Sequence, residues 1–371
     1  MDAKMASWNS TGTYVDKVPP PGANIIDGMW IFRVKRPPSS PRAFKARYVA
    51  RGFSQRQGVD FFQNFSPTLT MTTLRVLLHV AAHRDYELHS LDFSTAFLQG
   101  SLHEEIWLRR PPGFTGSFPA GTQWSLRRPV YGLRQAPREW HDSLRTTLAA
   151  LGFAPATADP PLFLRTDTTL PPFYVLVYVD DLVFATADTE ALALVKAELQ
   201  ERHTCTDMGE LRSYLGLQIT RDRARRTITL TQSHMVHRVH WDAAKRVLRY
   251  LCGTLGMGLV LGGQGSVATQ HSSQGYTFSL GFGFVFWRST RSSSGLSSSC
   301  EAEIYAGAMA AQELRWLTYL LSDLGEQPRS PAVLHVDNKA MHALCHEQRL
   351  EHRTKHIALR YFLARELQQR H

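Results

Sequence analysis

The chain has 371 residues, enough for two or three domains with hydrophobic cores of their own, and 43% of the residues are hydrophobic and 20% charged. This composition is typical of a globular protein with mixed α and β structure, and the net charge of +10 favours polyanionic partners such as nucleic acid. The four cysteines are far apart, which argues against a zinc finger or a disulfide framework. No apolar stretch reaches membrane-spanning length, so we expect no membrane partner.

The first quarter of the chain predicts a leader, a hairpin, a helix and a strand. Residues 1–23 are polar and rich in Pro and Gly, and they predict a flexible leader. Residues 28–34 and 44–49 read as two strands of a hairpin around a Pro/Ser turn. Residues 72–84 place apolar side chains at helical spacing, and a strand is predicted over residues 87–93.

The middle of the chain predicts a buried hairpin between two helices. Residues 173–184 (FYVLVYVDDLVF) are apolar on both sides of two acids, which indicates two buried strands joined by a tight turn. Helices are predicted over residues 137–151 and 190–202, the second capped by Asp188 or Thr189. Residues 211–219 and 227–230 predict a further hairpin around a basic turn.

The remainder of the chain changes in character. A basic helix is predicted over residues 240–251, followed by a Gly/Ser/Gln-rich passage over residues 253–275. Later elements are predicted as strands at residues 276–280, 282–287 and 332–337 and as helices at residues 300–324, 338–347 and 356–369.

The sharpest chemical feature is the acid pair Asp180 and Asp181 between the two buried strands. Carboxylates at the tip of an apolar hairpin need a cation, because burying unpaired charge is costly. The turn could bring both acids to one site, or leave Asp180 as the ligand with Asp181 supporting it. Asp92, at the end of the strand over residues 87–93, is a third candidate, and carboxylates on neighbouring strands can hold two Mg²⁺ ions roughly 3.5–4 Å apart. The structural alternatives are a turn dipeptide for the pair and a strand end or helix cap for Asp92.

Five sequence runs resemble, in order, the motifs of copia-type retrotransposon reverse transcriptases. They are residues 45–53 (KARYVARGF), 88–100 (LHSLDFSTAFLQG), 129–140 (PVYGLRQAPREW), 178–181 (YVDD) and 209–216 (GELRSYLG). The resemblance implies an α+β fold with reverse transcriptase fingers and palm over residues 24–232. A remnant of the connection and linker over residues 233–274 and a truncated ribonuclease H-like α/β domain over residues 275–371 would follow.

The resemblance also implies an RNA-directed DNA polymerase with named metal and primer sites. Its metal-binding carboxylates would be Asp92, Asp180 and Asp181, holding two Mg²⁺ ions, with Mn²⁺ as an alternative. Leu215 and Gly216 would contact the primer end. The implied partners are an RNA template, a DNA primer and a dNTP, and the family expectation for location is a cytoplasmic particle or the nucleus.

Four further residues would bind the nucleotide. Lys45 and Arg47 would clamp the triphosphate, and Phe97 would lie beneath the sugar and exclude a 2′-hydroxyl. Gln135 would contact the nucleotide or the template. The alternatives are a solvated strand face for the two cations, a core position for Phe97 and a polar helix start for Gln135.

The last part of the chain resembles a ribonuclease H domain that has lost acids. The matching runs are residues 275–278, 287–289, 297–303, 336–338 and 353–357. The family uses four carboxylates, and only Glu303 and Asp337 match. No Asp or Glu lies between Asp242 and Glu301, and Ala358 stands at the fourth position. We therefore predict little or no ribonuclease H activity.

In the family a thumb and connection segment of several dozen residues separates the primer-binding hairpin from a run that residues 240–251 resemble. Here residues 240–251 follow residues 231–235 almost at once, so this segment has no counterpart in the sequence. The rival interpretation of the chain is therefore a non-catalytic relic that at most binds nucleic acid.

Overall fold

The computed structural model describes residues 2–35, 43–114, 119–232, 273–280, 283–291, 299–326, 332–333 and 335. The chain forms two compact units, which are described separately. The first consists of Met1–Leu69, Glu87–Pro155 and Pro160–Glu210, and the second of Thr70–Tyr86, Ala156–Asp159 and Leu211–His371. No helix among the described residues is both long enough and apolar enough to cross a membrane.

The first unit contains three α-helices and twelve strands among the described residues. The helices are α1 (Asp2–Ser10), α3 (Ala136–Ala150) and α4 (Thr189–Arg202). The strands are β1 (Tyr14–Lys17), β2 (Ile25–Ile26), β3 (Gly28–Lys35), β4 (Ala43–Ala50), β5 (Glu87–Phe93), β6 (Ile106–Leu108), β7 (Gln123–Leu126), β8 (Phe153–Pro155), β9 (Leu162–Arg165), β10 (Phe173–Tyr178), β11 (Asp181–Thr186) and β12 (Cys205–Glu210).

The centre of the first unit is an antiparallel sheet with the strand order β12-β5-β11-β10-β9-β8. Five of six residues in each of β10 and β11 are buried, as expected for strands covered on both faces. Helix α4 contacts β11 and β12, and α3 contacts β8. The predicted buried hairpin, the strand over residues 87–93 and the two helices are thereby confirmed, with Asp188 as the cap of α4.

The prediction of a flexible leader over residues 1–23 is wrong for residues 2–17. Helix α1 buries Trp8, whose ring lies 5.9 Å from that of Tyr48 and 5.8 Å from that of Trp124. Strand β1 pairs with β7 in a second sheet of order β1-β7-β6-β2. The sequence signal failed because a few large aromatic residues, buried by distant partners, outweigh a polar local composition.

The hairpin predicted near residues 28–49 is confirmed and is longer than expected. Strands β3 and β4 pair over eight residues each. Because side chains alternate along a strand, Lys45 and Arg47 lie on one face of β4, whereas Tyr48 and Ala50 are buried.

The second unit contains helices α2 (Met71–Arg84) and α5 (Ser299–Asp323) among its described residues. Its strands are β13 (Ser213–Tyr214), β14 (Leu217–Asp222), β15 (Thr227–Thr231), β16 (Ser273–Leu280) and β17 (Gly283–Arg291), which form one three-stranded and one two-stranded sheet. These elements confirm the predicted helices at residues 72–84 and 300–324 and the predicted strands at residues 276–280 and 282–287. The hairpin predicted from residues 211–219 and 227–230 is confirmed in its pairing of β14 with β15, but the first of its strands is wrong, because a turn at Leu215 and Gly216 divides it into β13 and β14. The helices predicted at residues 240–251, 338–347 and 356–369 lie outside the described residues. Of the strand predicted at 332–337, residues 332, 333 and 335 are described, and they are not in a strand.

Candidate active site

A two-residue turn carries the acid pair. Val179 and Asp180 connect β10 to β11, and Tyr178 faces Asp181 across the hairpin. Val179 has a φ of 54°, a conformation that costs a β-branched residue about 1–3 kcal/mol. The indole N–H of Trp140 donates a hydrogen bond to the Val179 carbonyl oxygen. A buried side chain on α3 therefore supports the strained turn.

Trp140 is itself fixed by the rings of Phe93 on β5 and of His203, the residue that follows α4. Its ring is 1% exposed and lies 4.8 Å from the ring of Phe93 and 5.5 Å from that of His203. The His203 ring also packs edge-on against Phe93 at 5.5 Å. This aromatic cluster lies under the turn and sets the position from which Asp180 and Asp181 project.

The neighbouring strand brings the third acid to the same place. Asp92 on β5 is the direct cross-strand partner of Asp181 on β11. The backbone N–H of Phe93 donates a 2.7 Å hydrogen bond to the carbonyl oxygen of Asp180, which ties the turn to the end of β5. The side chains of Asp181 and Asp92 share a hydrogen bond. The structure thus brings together the three acids that the sequence singled out.

The acids repel one another. Burial, the charges of Asp180 and Asp92 and the hydrogen bond to Asp92 together raise the pKa of Asp181 to about 6, and burial is the largest of these causes. Burial also raises the pKa of Asp180, as does Asp92, while a backbone hydrogen bond and the cations Arg47 and Lys45 lower it. A site with this much unbalanced negative charge is suited to a cation.

Strand β4 supplies the positive charge that faces these acids. Arg47 and Lys45 are close enough to Asp180 to lower its pKa. Both side chains project from one face of β4, so positive charge from this strand acts on the carboxylates. A triphosphate accompanied by divalent cations carries the negative and positive charges that would balance these two groups.

Phe97 is linked to Arg47 on β4 through the ring of Tyr131. It belongs to a short 3₁₀ helix, Ala96–Gln99, entered through Thr95 at a φ of 56°. Phe97 is 8% exposed, and its ring centroid lies 4.6 Å from that of Tyr131. Tyr131 was not singled out from the sequence, and a tyrosine in a loop gives no local signal of such a contact.

Gln135 does not lie where the sequence placed it. Its side chain is fully buried, with the amide nitrogen donating to the backbone oxygen of Asp60 at 2.8 Å and the amide oxygen accepting from Gln55 at 2.9 Å. The Gln55 oxygen in turn accepts from the backbone N–H of Arg134 at 2.8 Å. The predicted contact with nucleotide or template is at odds with this burial. Gln135 instead links its loop to Gln55 and to the backbone of Asp60, because a buried polar group must find hydrogen-bond partners inside the protein.

The other predicted residues are in the second unit. Leu215 and Gly216 form the turn between β13 and β14, and both have positive φ, 49° and 81°. Two successive positive φ values are typical of a tight hairpin turn. Glu303 lies within α5, and Asp337 lies outside the described residues.

The carboxylate oxygens of the site fit Mg²⁺ or Mn²⁺ as part of a ligand set that is shared with the substrate. The described residues include no cluster of three or more His, Cys, Asp or Glu side chains arranged to hold a metal ion by themselves. Mg²⁺ is commonly bound by one or two carboxylates together with substrate phosphates, and not by an all-protein cage. Asp92, Asp180 and Asp181 offer such a partial oxygen set, which a bound triphosphate would complete.

Comparison with known proteins agrees with this site. The family model described as "Reverse transcriptase (RNA-dependent DNA polymerase)" matches residues 11–245, more than half of the chain. The chain therefore belongs to the reverse transcriptase family. Within it, the chain is similar to the Pol polyproteins of plant copia-type transposons.

Two relatives illustrate the extent of that similarity. The chain is 32% identical to the "Retrovirus-related Pol polyprotein from transposon RE2" of Arabidopsis thaliana, over 94% of this chain and 30% of the relative. It is 27% identical to the polyprotein from transposon TNT 1-94 of Nicotiana tabacum, over 99% of this chain and 34% of the relative. The chain thus spans about a third of the length of these relatives.

Proposed function

We propose that the first unit catalyses RNA-directed DNA synthesis. In this reaction the 3′-hydroxyl of a primer attacks the α-phosphorus of a dNTP and pyrophosphate leaves. The proposal is carried by one observation: Asp92 and Asp181 are cross-strand partners, with Asp180 in the adjoining turn. Family membership and the net charge of +10 support nucleic acid as the substrate.

In this proposal the charged residues of the site would bind the divalent cations and the triphosphate. Asp92, Asp180 and Asp181 would hold the divalent cations, which when bound neutralise phosphate charge and favour the ionised primer hydroxyl. Arg47 and Lys45 would bind the triphosphate, since guanidinium and ammonium groups are good hydrogen-bond donors to phosphate oxygens.

Shape would complete the site. The Phe97 ring would lie against the sugar and leave no room for a 2′-hydroxyl. For the second unit by itself we propose, from family membership alone, that the turn of Leu215 and Gly216 binds primer. An RNA template, a DNA primer and a dNTP are therefore the substrates that we propose.

Primer extension tests this proposal. We would compare the wild-type chain with Asp180→Asn on an RNA template annealed to a DNA primer, in Mg²⁺ and in Mn²⁺. The substitution should reduce extension by at least about a hundredfold, because it removes a charge from the reaction centre while preserving shape. Asp167→Asn is the matched control, because Asp167 is an exposed loop residue whose carboxylate accepts hydrogen bonds from Thr169. Extension that survives Asp180→Asn would contradict the proposal.

A second candidate is a relic that binds nucleic acid without catalysis. It is favoured by the sequence, in which the run at residues 240–251 follows residues 231–235 almost at once and leaves no counterpart of the family's thumb and connection segment. Its signature would be binding to an RNA–DNA hybrid that weakens steeply with salt, together with no extension in either metal.

For residues 275–371 we propose a ribonuclease H-like domain with little or no activity. Its described elements, the β16–β17 hairpin and α5, are of the types expected, and α5 contacts β16. Only Glu303 and Asp337 match the acids that the reaction needs. Incubating a labelled RNA–DNA hybrid with the chain in Mg²⁺ or Mn²⁺ should release no RNA fragments, and robust cleavage would overturn this assignment.

A further inference from the structure

Tyr131 is locked to the strand that carries the phosphate-binding cations. Its carbonyl oxygen accepts a 2.8 Å hydrogen bond from the backbone N–H of Ala50, the last residue of β4. The next residue, Gly132, has a φ of +95°, and a Cβ there would come within 2.0 Å of the Ala50 carbonyl oxygen. Only glycine permits this approach. The backbone at Tyr131 is therefore fixed against β4.

The ring of Tyr131 is shared between a cation and an aromatic neighbour. The guanidinium carbon of Arg47 lies 5.6 Å from the ring centroid, within cation–π range. The Phe97 ring lies 4.6 Å away at an interplanar angle of 57°. Tyr131 is partly exposed whereas Phe97 is 8% exposed, so Tyr131 both covers Phe97 and presents surface to a ligand.

The hydroxyl of Tyr131 also lies within the field of the catalytic acids. Burial raises the pKa of Tyr131, Asp180 and Asp92 raise it further, and Arg47 lowers it. The same side chain thus interacts with the cation on β4, with the ring of Phe97 and with two of the three carboxylates. Such a position lies between the groups that would bind the triphosphate and those that would bind the metals.

Steric selection against a 2′-hydroxyl requires a ring that cannot move away. Phe97 lies in a single 3₁₀ turn, and its aromatic partner Tyr131 is pinned by the backbone contacts described above. Tilted aromatic pairs at this separation are attractive and hold a preferred geometry. Removing the Tyr131 ring would free Phe97 to turn into the space left behind.

We propose that Tyr131 lines the sugar pocket of the incoming nucleotide and fixes the Phe97 ring, and that it thereby determines selectivity for deoxyribonucleotides. This inference rests on the proposed polymerase function, and it assigns to Tyr131 the nucleotide contact that the buried Gln135 cannot make.

Selectivity is measured by extending a primer with dNTPs or with rNTPs as separate substrates. Tyr131→Phe keeps the ring and should preserve the dNTP-to-rNTP ratio of kcat/KM. Tyr131→Ala should lower that ratio by about tenfold or more. Tyr14→Ala is the matched control, because Tyr14 is also partly exposed and stacks on one large ring, that of Trp124 at 4.0 Å. It should reduce stability without changing the ratio.

Equilibrium binding separates this inference from the polymerase proposal. Fluorescent dATP and ATP would be titrated with Mg²⁺ into the full chain, so that no turnover is needed. If the wild type prefers dATP and Tyr131→Ala loses that preference, the inference stands even where no primer is extended. If the wild type extends primers but Tyr131→Ala keeps its selectivity, the inference fails and the polymerase proposal stands. A wild type that neither binds nor extends overturns both.

Discussion

Replacing Asp181 by asparagine should make the metal-free protein more stable at neutral pH. The fold holds this carboxyl group beside Asp92 and Asp180, and burial together with those charges raises the pKa of Asp181 from 3.8 to about 6. At neutral pH the folded protein must therefore ionise a group that the unfolded chain ionises more easily. An amide of nearly the same shape can still donate a hydrogen bond to Asp92 and carries no charge.

The size of the gain follows from the two pKa values. Their difference corresponds to about 3 kcal/mol. Asp181 is only partly buried, so solvent screening reduces this figure, and we take about half of it, about 1.5 kcal/mol. Below the unfolded pKa of 3.8 the carboxyl is protonated in both states, and wild type and Asp181→Asn should be equally stable. As the pH rises through about 6 the wild type loses stability relative to the variant, and the full difference is present above that pH.

Urea unfolding in EDTA at several pH values between 4 and 8 measures this difference. Asp167→Asn is the control, because the pKa of that exposed carboxyl is lowered by hydrogen bonds from Thr169, and its replacement should bring no gain at neutral pH. The reasoning is refuted if Asp181→Asn is no more stable than the wild type at pH 7, or if the difference does not change between pH 4 and 6. Adding about 10 mM Mg²⁺ should then stabilise the wild type more than the variant.

Three further substitutions test residues that hold the first unit and its site in place, and the stability of each variant is measured from its urea unfolding midpoint. Trp140→Phe keeps a buried ring but leaves the Val179 carbonyl without its donor, so it should cost about 1–2 kcal/mol and slow primer extension; unchanged extension would show that the turn needs no such support. Gln135→Leu should cost about 1–3 kcal/mol by leaving Gln55 without its acceptor, while the KM for dNTP stays the same; a raised KM would restore Gln135 to the nucleotide site. Trp8→Ala should cost about 3–5 kcal/mol, whereas the same change in a flexible leader would cost nothing.

Local sequence patterns were enough to predict the long elements of the fold. The helical spacing of apolar residues in residues 72–84 predicts a helix, and the apolar run of residues 173–184 predicts a hairpin, because both signals depend only on neighbours in sequence. The three- and four-residue strands β6, β7, β8 and β9 were not predicted. Strands of that length carry too few residues for a period to show, and they depend on hydrogen bonds from the strands paired with them, which lie outside the short run itself.

In the candidate site too, some residues could be identified from the sequence and others only from the structure. The acids Asp92, Asp180 and Asp181 stand out in the sequence, because carboxylates beside apolar strands demand a chemical reason. The roles of Gln135 and Tyr131 do not, because each depends on which side chains arrive from elsewhere: Gln55 and the Asp60 backbone for the first, Phe97 and Arg47 for the second.

By itself the sequence determined which residues are candidates for the site, namely three acids, two cations and a bulky ring, in the order of a known family. Only the tertiary structure decided that residues 2–17 belong to the folded unit, that Gln135 is buried and that Tyr131 packs against Phe97 and Arg47. The physical reason is that burial and side-chain contact are set by pairing between residues far apart in the chain, and no local pattern encodes that pairing.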